Sequence, residues 1–313
     1  MTDFTPESAL SGYASLVPQG LWEAQEAPAP RPAAAQQPSA ASLAAATQHL
    51  LDSMARKRVP RLEGLRRQLQ DTGSATTLDA LDAALAELQA ETGAVDFLAG
   101  RSGGARAPVF LQQCGALAGS TERLRALAGA YAEHHATQGP VARLLWIELV
   151  LESASLRKRV RQGAHWLAQM DKELHARRKS VTAEVSQRAL DELARRGRLL
   201  HERLQAVHRM CGHARSVHAL CEQLAEQRGK LCATLQDRVL PTGEQLRDAL
   251  QPLVQAAIYR PLVPEELIAA IEAGHAQQVA LTQARAELAL VQAGTRELAV
   301  QLACIEQKAQ LVA

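Results

Sequence analysis

The stretch that decides the fold is Thr182–Val239, TAEVSQRALDELARRGRLLHERLQAVHRMCGHARSVHALCEQLAEQRGKLCATLQDRV. The stretch contains no proline, and we expect its helix to end before Pro241. At about 1.5 Å per residue, the stretch predicts a helix roughly 80 Å long. From Leu200 onward, apolar and small residues recur in alternating steps of four and three, which is the 3.5-residue repeat of a helix that packs along a partner helix. The repeat comprises Leu200, Leu204, Val207, Cys211, Ala214, His218, Cys221, Ala225, Arg228, Cys232, Leu235 and Val239.

The segment before this stretch predicts the partner helix. Apolar residues recur at helical spacing from Val141 to about Arg178, and only a few residues separate that segment from Thr182. Two long helices joined by a short connection pack antiparallel. We therefore predict a helix–helix interface, within one chain or between two chains, that includes Leu200, Leu204, Val207, Cys211 and Leu235.

The composition favours an all-α protein. Apolar residues make up 47 % of the 313 residues, but aromatic residues only 3 %, so that Ala and Leu must supply most of the core. Both are strong helix formers, as are the Gln, Arg and Glu residues that fill many other positions. Because hairpin turns and β-branched runs are missing, we predict an elongated helical bundle or antiparallel coiled coil rather than a sheet.

Short breaks divide the chain into four predicted parts. The first contains three spaced aromatic residues (Phe4, Tyr13 and Trp22) followed by an Ala/Pro linker, which predicts a disordered tail that docks on a partner or packs back on the body. Helices should end near Arg58, begin again at Pro60, and break at Gly139–Pro140. The predicted parts are the tail and linker (1–41), N-terminal helices (42–138), the long antiparallel pair (139–240) and C-terminal helices (241–313).

The charge is unevenly distributed along the chain. Residues 143–215 contain 16 Lys and Arg against 8 Asp and Glu, a local charge of +8, and the rest of the chain carries −6. A solvated helix surface explains this best, with an anionic partner as the alternative. Nucleic acid is a weak candidate, because no aromatic residues are interleaved with the basic ones and no helix-turn-helix is evident.

The five cysteines form an odd set in a long helical chain, which predicts free thiols in a reducing cytoplasm rather than a disulfide framework. The chain has no apolar run of about 20 residues and no basic and apolar blocks at its amino terminus. We therefore expect a cytoplasmic protein without a membrane-spanning helix or a signal peptide.

Two His-x-x-Cys pairs, His208 with Cys211 and His218 with Cys221, are the sharpest chemical pattern. Residues three apart share a helix face, so each pair offers an imidazole and a thiol to a soft metal ion. The pairs lie about 15 Å apart along a helix, too far for one site. Because both cysteines also occupy apolar positions of the repeat, packing is the favoured interpretation, and we expect no metal, no cofactor and no catalytic residues.

One family resemblance accompanies this pattern. The segment RLLHERLQAVHRMCGHARSVHALCEQLAEQRGKLCATLQDRVLP (198–241) and the later segment QQVALTQARAELALVQAGTRELA (277–299) resemble the TelA-like toxic-anion (tellurite) resistance proteins. The resemblance implies a cytoplasmic, coiled-coil-rich helical protein of a stress response. Pro241 is followed by Thr242 and Gly243 where that family has Trp, and no functional residue carries over.

Three functions remain open from the sequence. The leading prediction is a non-enzymatic coiled-coil protein, associated through its long helices with itself or a protein partner, in a toxic-anion or stress resistance system. The second is a helical component or substrate of a bacterial secretion or conjugation apparatus. The third is a nucleic-acid-binding accessory protein that uses its basic middle.

Overall fold

The computed structural model describes residues 39–71, 75–100, 106–180, 184–259 and 261–312. All regular elements in these ranges are helical, which confirms the predicted all-α class. The residues of the tail up to position 38, including Phe4, Tyr13 and Trp22, lie outside the described part of the chain. The helices are α1 (Ala40–Ser53), α2 (Val59–Asp71), α3 (Ala75–Ala94), α4 (Ala107–Ser180), α5 (Glu184–Thr234), α6 (Leu240–Ile258) and α7 (Pro264–Gln310).

Two π-helical turns carry the chain past prolines at which we predicted helix ends. The turn Met54–Arg58 joins α1 to α2 ahead of Pro60, and the turn Leu235–Val239 joins α5 to α6 ahead of Pro241. Proline lacks a backbone N–H, and in an α-helix its ring clashes with the carbonyl four residues earlier. The wider turn with bonds to the fifth preceding residue avoids that clash. The α-helix α5 ends at Thr234, before Pro241 as predicted, but the helical backbone does not break there, because the π turn leads directly into α6.

The break predicted at Gly139–Pro140 is also absent. Helix α4 is 74 residues long and continues through Pro140. Pro140 lies on the exposed side of the helix, where water can bind the carbonyl that loses its partner. The cost of an interior proline is about 3 kcal/mol, and the packing of α4 along α5 over its length offsets it.

Helices α4 and α5 form the predicted antiparallel pair, and α7 packs antiparallel to α5 on another side. At one level of the α4–α5 pair Gly163 lies against Leu204, and further along α4 the ring of His135 lies near Gly229. Between α5 and α7, His213 Nδ1 is 2.8 Å from Gln301 Oε1, and Arg203 donates to the carbonyl of Val312. Helix α5 thus has partners on two sides.

Two hydrophobic cores lie one after the other along these three helices. The first core is formed by α1, α2, the second half of α4, the first half of α5 and the end of α7. The second core is formed by α3, the first half of α4, the second half of α5, α6 and most of α7. Leu298 packs against both, which places it at their junction.

Candidate functional site

The predicted interface residues lie inside the chain. Leu200, Leu204, Val207 and Cys211 belong to the first core and Leu235 to the second, and all five are buried. Beyond position 214 the buried face is wider than the predicted repeat. Because α5 packs against both α4 and α7, it also buries a second row of side chains there, Val217, Leu224 and Leu231, while Ala225 is exposed.

The members of the His-x-x-Cys pairs lie in different surroundings. His208 is exposed, whereas Cys211 is fully buried in the first core. His218 instead packs edge-on against Trp146, with ring centroids 6.4 Å apart, and its Nε2 is 3.6 Å from Glu222. Among the described residues, no group of three or more His, Cys, Asp or Glu side chains is placed to hold a metal ion.

The buried thiols are held in their protonated form. Burial raises the pKa of Cys211 to about 11 and that of Cys221 to about 12, and nearby arginines oppose this only in part. Burial likewise raises the pKa of Cys114 to about 11. Since the thiolate is the nucleophile and the metal ligand, the raised pKa values leave these three thiols with little reactive thiolate at neutral pH. They act as small apolar side chains.

A row of exposed apolar side chains on α4, which we call the apolar stripe, consists of Val141, Leu144, Ile147 and Leu151. Leu144 is 66 % exposed and Leu151 54 %. The stripe lies almost opposite the face that α4 packs into the first core, where Leu149 and Leu156 are fully buried. At 3.6 residues per turn, three of its members follow the a, d, a pattern of a heptad: Leu144, Ile147 and Leu151. This stripe has no distinct pattern in the sequence, because Val141–Leu156 is apolar on both faces.

The basic segment is largely solvated, as the favoured interpretation predicts. Near the α4–α5 connection Arg177, Arg178 and Lys179 are exposed. Arg178 pairs with Asp191 across the two helices at 2.6 Å, and Arg177 pairs with Glu173 one turn earlier at 2.6 Å. Surface pairs of this kind contribute little to stability.

The strongest polar constellation is a cleft between α3, α4 and α5 at the junction of the two cores, which we call the waist cleft. It has a volume of about 20 Å³, and its polar lining includes Tyr131, His134, His135 and Arg228. Tyr131 is 3 % exposed, and among the described residues neither its hydroxyl nor His134 Nε2 has a hydrogen-bond partner. The His135 ring lies beside Gly139 and Gly229, 4.0 Å from the place of a Cβ at either position.

Charge in the waist cleft is positive and uncompensated. Burial, followed by Arg228 and His134, lowers the pKa of His135. Burial also raises the pKa of Tyr131, and Arg228 opposes that shift. The neighbouring acids on α5 are engaged elsewhere, because Glu222 faces His218 and Glu226 pairs with Lys230. Within the described part of the chain, no carboxylate forms an ion pair with Arg228.

An apolar cavity adjoins the waist cleft and shares His135, Gly139 and Arg228 with it. Its volume is about 250 Å³, and its walls include Trp146, Leu224, Leu298 and Leu302. The repeat on α5 predicts an inward position for Arg228, but no pattern in the sequence indicates that residues of α3 and α4 meet it there. Contacts between residues nearly a hundred positions apart arise only on folding.

Helix α7 is the one helix of the described ranges that is long and apolar enough, by length and composition, to cross a membrane. In the fold it packs against α3, α5 and α6 and supplies Leu281, Leu288 and Ile305 to the two cores. The expected absence of a membrane-spanning helix therefore stays a prediction.

Comparison of the chain with protein-family models, with curated proteins and with solved structures finds no match in any of the three. The resemblance to toxic-anion resistance proteins accordingly stays a prediction.

Proposed function

We propose that this chain is a non-enzymatic helical protein that works by pairing with a second copy of itself through the apolar stripe on α4. The single observation that supports the proposal is the exposed a, d, a pattern of Leu144, Ile147 and Leu151 on a helix whose opposite face is already buried. Exposed apolar rows flanked by charge are typical of protein–protein contacts. The repeat residues of α5 are buried in the two cores, against helices of the same chain. We therefore place the self-association surface on α4.

The charges beside the stripe favour a second copy, in parallel orientation. Arg143 occupies the g position before Leu144, and Glu148 occupies the e position after Ile147; both are exposed. In a parallel helix pair, a g residue lies beside the e residue five positions later on the partner helix. A symmetric parallel dimer therefore contains the pair Arg143–Glu148 twice. The stripe covers only about three helical turns, which predicts a weak, concentration-dependent dimer.

Sedimentation equilibrium of the reduced, full-length protein over a range of concentrations tests the proposal. Leu144→Asp places a charge in the centre of the contact on both copies and should weaken the dimer at least about a hundredfold. The matched control is Val300→Asp, which changes an equally apolar exposed residue on α7 and should leave the dimer unchanged. A chain that is monomeric at every concentration, or a dimer indifferent to Leu144→Asp, would refute this interface.

A charge swap tests the orientation. Arg143→Glu and Glu148→Arg should each weaken the dimer by about tenfold, because each replaces two attractive pairs with two repulsive ones. The double variant should restore it. If the double variant is weaker than either single variant, the helices do not pair in parallel.

The earlier predictions of function bear on this proposal in different ways. A role in toxic-anion resistance through the thiols gains nothing from Cys211 and Cys221, which are buried and protonated. A role in secretion or conjugation rests on the tail, which lies outside the described residues. Nucleic-acid binding rests on the solvated basic segment and predicts steeply salt-dependent binding. These roles and the cytoplasmic location stay predictions.

A further inference from the structure

The waist cleft and its adjoining cavity combine two kinds of surface. The cleft is lined by the polar side chains of Arg228, Tyr131 and His134, whereas the cavity is lined mainly by Trp146 and leucines. The cleft volume, about 20 Å³, suits one or two polar groups of the size of water, such as the two oxygens of a carboxylate. The cavity, at about 250 Å³, accepts an apolar body of more than one ring or of a short hydrocarbon chain.

The buried hydroxyl of Tyr131 indicates a ligand independently of the charge. A buried hydroxyl without a hydrogen-bond partner is costly, and native proteins nearly always provide one. Tyr131 is 3 % exposed, its hydroxyl has no partner in the part of the chain that the structure describes, and its side chain lines the cleft. His134 Nε2, in the same cleft, is unpartnered as well. A hydrogen-bond acceptor that enters the cleft therefore satisfies the Tyr131 hydroxyl besides the arginine, and it satisfies His134 Nε2 in the tautomer that carries its proton on Nε2.

We propose that the waist cleft binds a small apolar monocarboxylate, with its carboxylate on Arg228 and Tyr131 and its hydrocarbon in the cavity beside Trp146. The arginine supplies charge-assisted hydrogen bonds, which are the strongest available to a carboxylate. Burial of the hydrocarbon against leucines supplies the rest of the affinity. The site is separate from the apolar stripe, which lies on the opposite face of α4, so either proposal can fail without the other.

Ligand binding by the full-length protein tests this site, with octanoate as the probe and two matched compounds beside it. 1-Octanol keeps the hydrocarbon and lacks the charge, and inorganic phosphate keeps the charge and lacks the hydrocarbon. Titration calorimetry should show saturable octanoate binding and, for each comparison compound, binding weaker by about tenfold or more. Tryptophan fluorescence should change with octanoate, and Trp146→Phe should reduce that change, because Trp146 lines the cavity.

Two variants and one control locate the carboxylate. Arg228→Gln should weaken octanoate binding about tenfold or more without weakening 1-octanol binding, whereas Arg215→Gln, an exposed arginine on the same helix, should have no effect. Tyr131→Phe should weaken octanoate binding several-fold and leave the unliganded protein at least as stable, because the lost hydroxyl has no partner there. If Arg228→Gln does not fold, Tyr131→Phe still tests whether the carboxylate binds in the cleft.

Three results would overturn the proposal. Equal binding of octanoate and 1-octanol would show an apolar cavity without a carboxylate site. Equal binding of octanoate and phosphate would show an anion site without the apolar half. No binding of any probe would mean that only water occupies the cleft.

Discussion

The ion pair between Glu152 and Arg58 provides the sharpest test of how the first core is held together. Glu152 lies on α4 and is only 6 % exposed, and Arg58 Nη1 donates to its two carboxylate oxygens at 3.2 and 3.1 Å. Arg61 Nε is 3.9 Å away, too far for a hydrogen bond. Arg58 is the last residue of the π turn Met54–Arg58. The pair therefore joins that turn to α4.

We expect Arg58→Met to lower the free energy of unfolding by about 2 kcal/mol. Removal of one partner of a buried pair costs about 3–5 kcal/mol, because the other charge remains buried. Here the cost is smaller, since the Arg58 side chain is 35 % exposed and Arg61 stays nearby to stabilise the carboxylate. Urea denaturation followed by far-ultraviolet circular dichroism measures the change.

The double variant Arg58→Met, Glu152→Leu distinguishes the cost of an unpaired buried carboxylate from the cost of lost packing. If the cost arises from the uncompensated carboxylate, replacing it as well should restore at least half of the lost stability. A single variant within 0.5 kcal/mol of the parent protein, or a double variant no more stable than the single one, would refute the argument.

Two further predictions concern stability. Gly163→Val should destabilise the protein by roughly 2 kcal/mol, because a Cβ there already lies 3.0–3.2 Å from methyl carbons of Leu204 and Leu50. Gly129→Val is the control, because none of the described atoms of neighbouring elements lies within 4 Å of a Cβ added there, and it should stabilise the protein by a few tenths of a kcal/mol. Melting temperatures that shift in the same direction for both variants would contradict this packing argument. Between about pH 9 and pH 12 the folded chain keeps the Cys221 proton that the unfolded chain releases, because burial raises the pKa of this thiol to about 12. The free energy of unfolding should therefore fall with rising pH in this range, and it should fall more steeply in the parent protein than in Cys221→Ala, by up to about 1.4 kcal/mol per pH unit. Urea denaturation at several pH values measures both slopes. Equal slopes for the two proteins would contradict the raised pKa.

Much of the architecture was predictable from residue types and their spacing. Abundant Ala and Leu with few aromatic residues predicts helices, and the 3.5-residue repeat from Leu200 predicts a buried face on α5. The short connection after Arg178 predicts an antiparallel partner. These predictions succeed because each depends on local chemistry, namely helix propensity and the period of side chains around one helix.

The repeat on α5 does not indicate which helices α5 packs against. A 3.5-residue period indicates that one face of a helix is buried. The same period occurs when the helix packs against one neighbour and when it is part of a wider buried face that packs against two. Helix α5 contacts both α4 and α7, so Val217 and Leu224 are buried where the repeat predicted His218 and Ala225. The surface left open for association is consequently on α4.

The sequence by itself determined the all-α class, the antiparallel α4–α5 pair and the burial of Leu200, Leu204 and Val207, because helical period and propensity are properties of short segments. Only the tertiary structure decided how the chain passes Pro140 and Pro241. A proline removes one hydrogen bond locally, and whether the helix then ends depends on the energy of packing along its whole length. The waist cleft likewise exists only in the fold, because Tyr131 and His135 meet Arg228 only when α4 and α5 pack together, although these residues lie more than ninety positions apart in the chain.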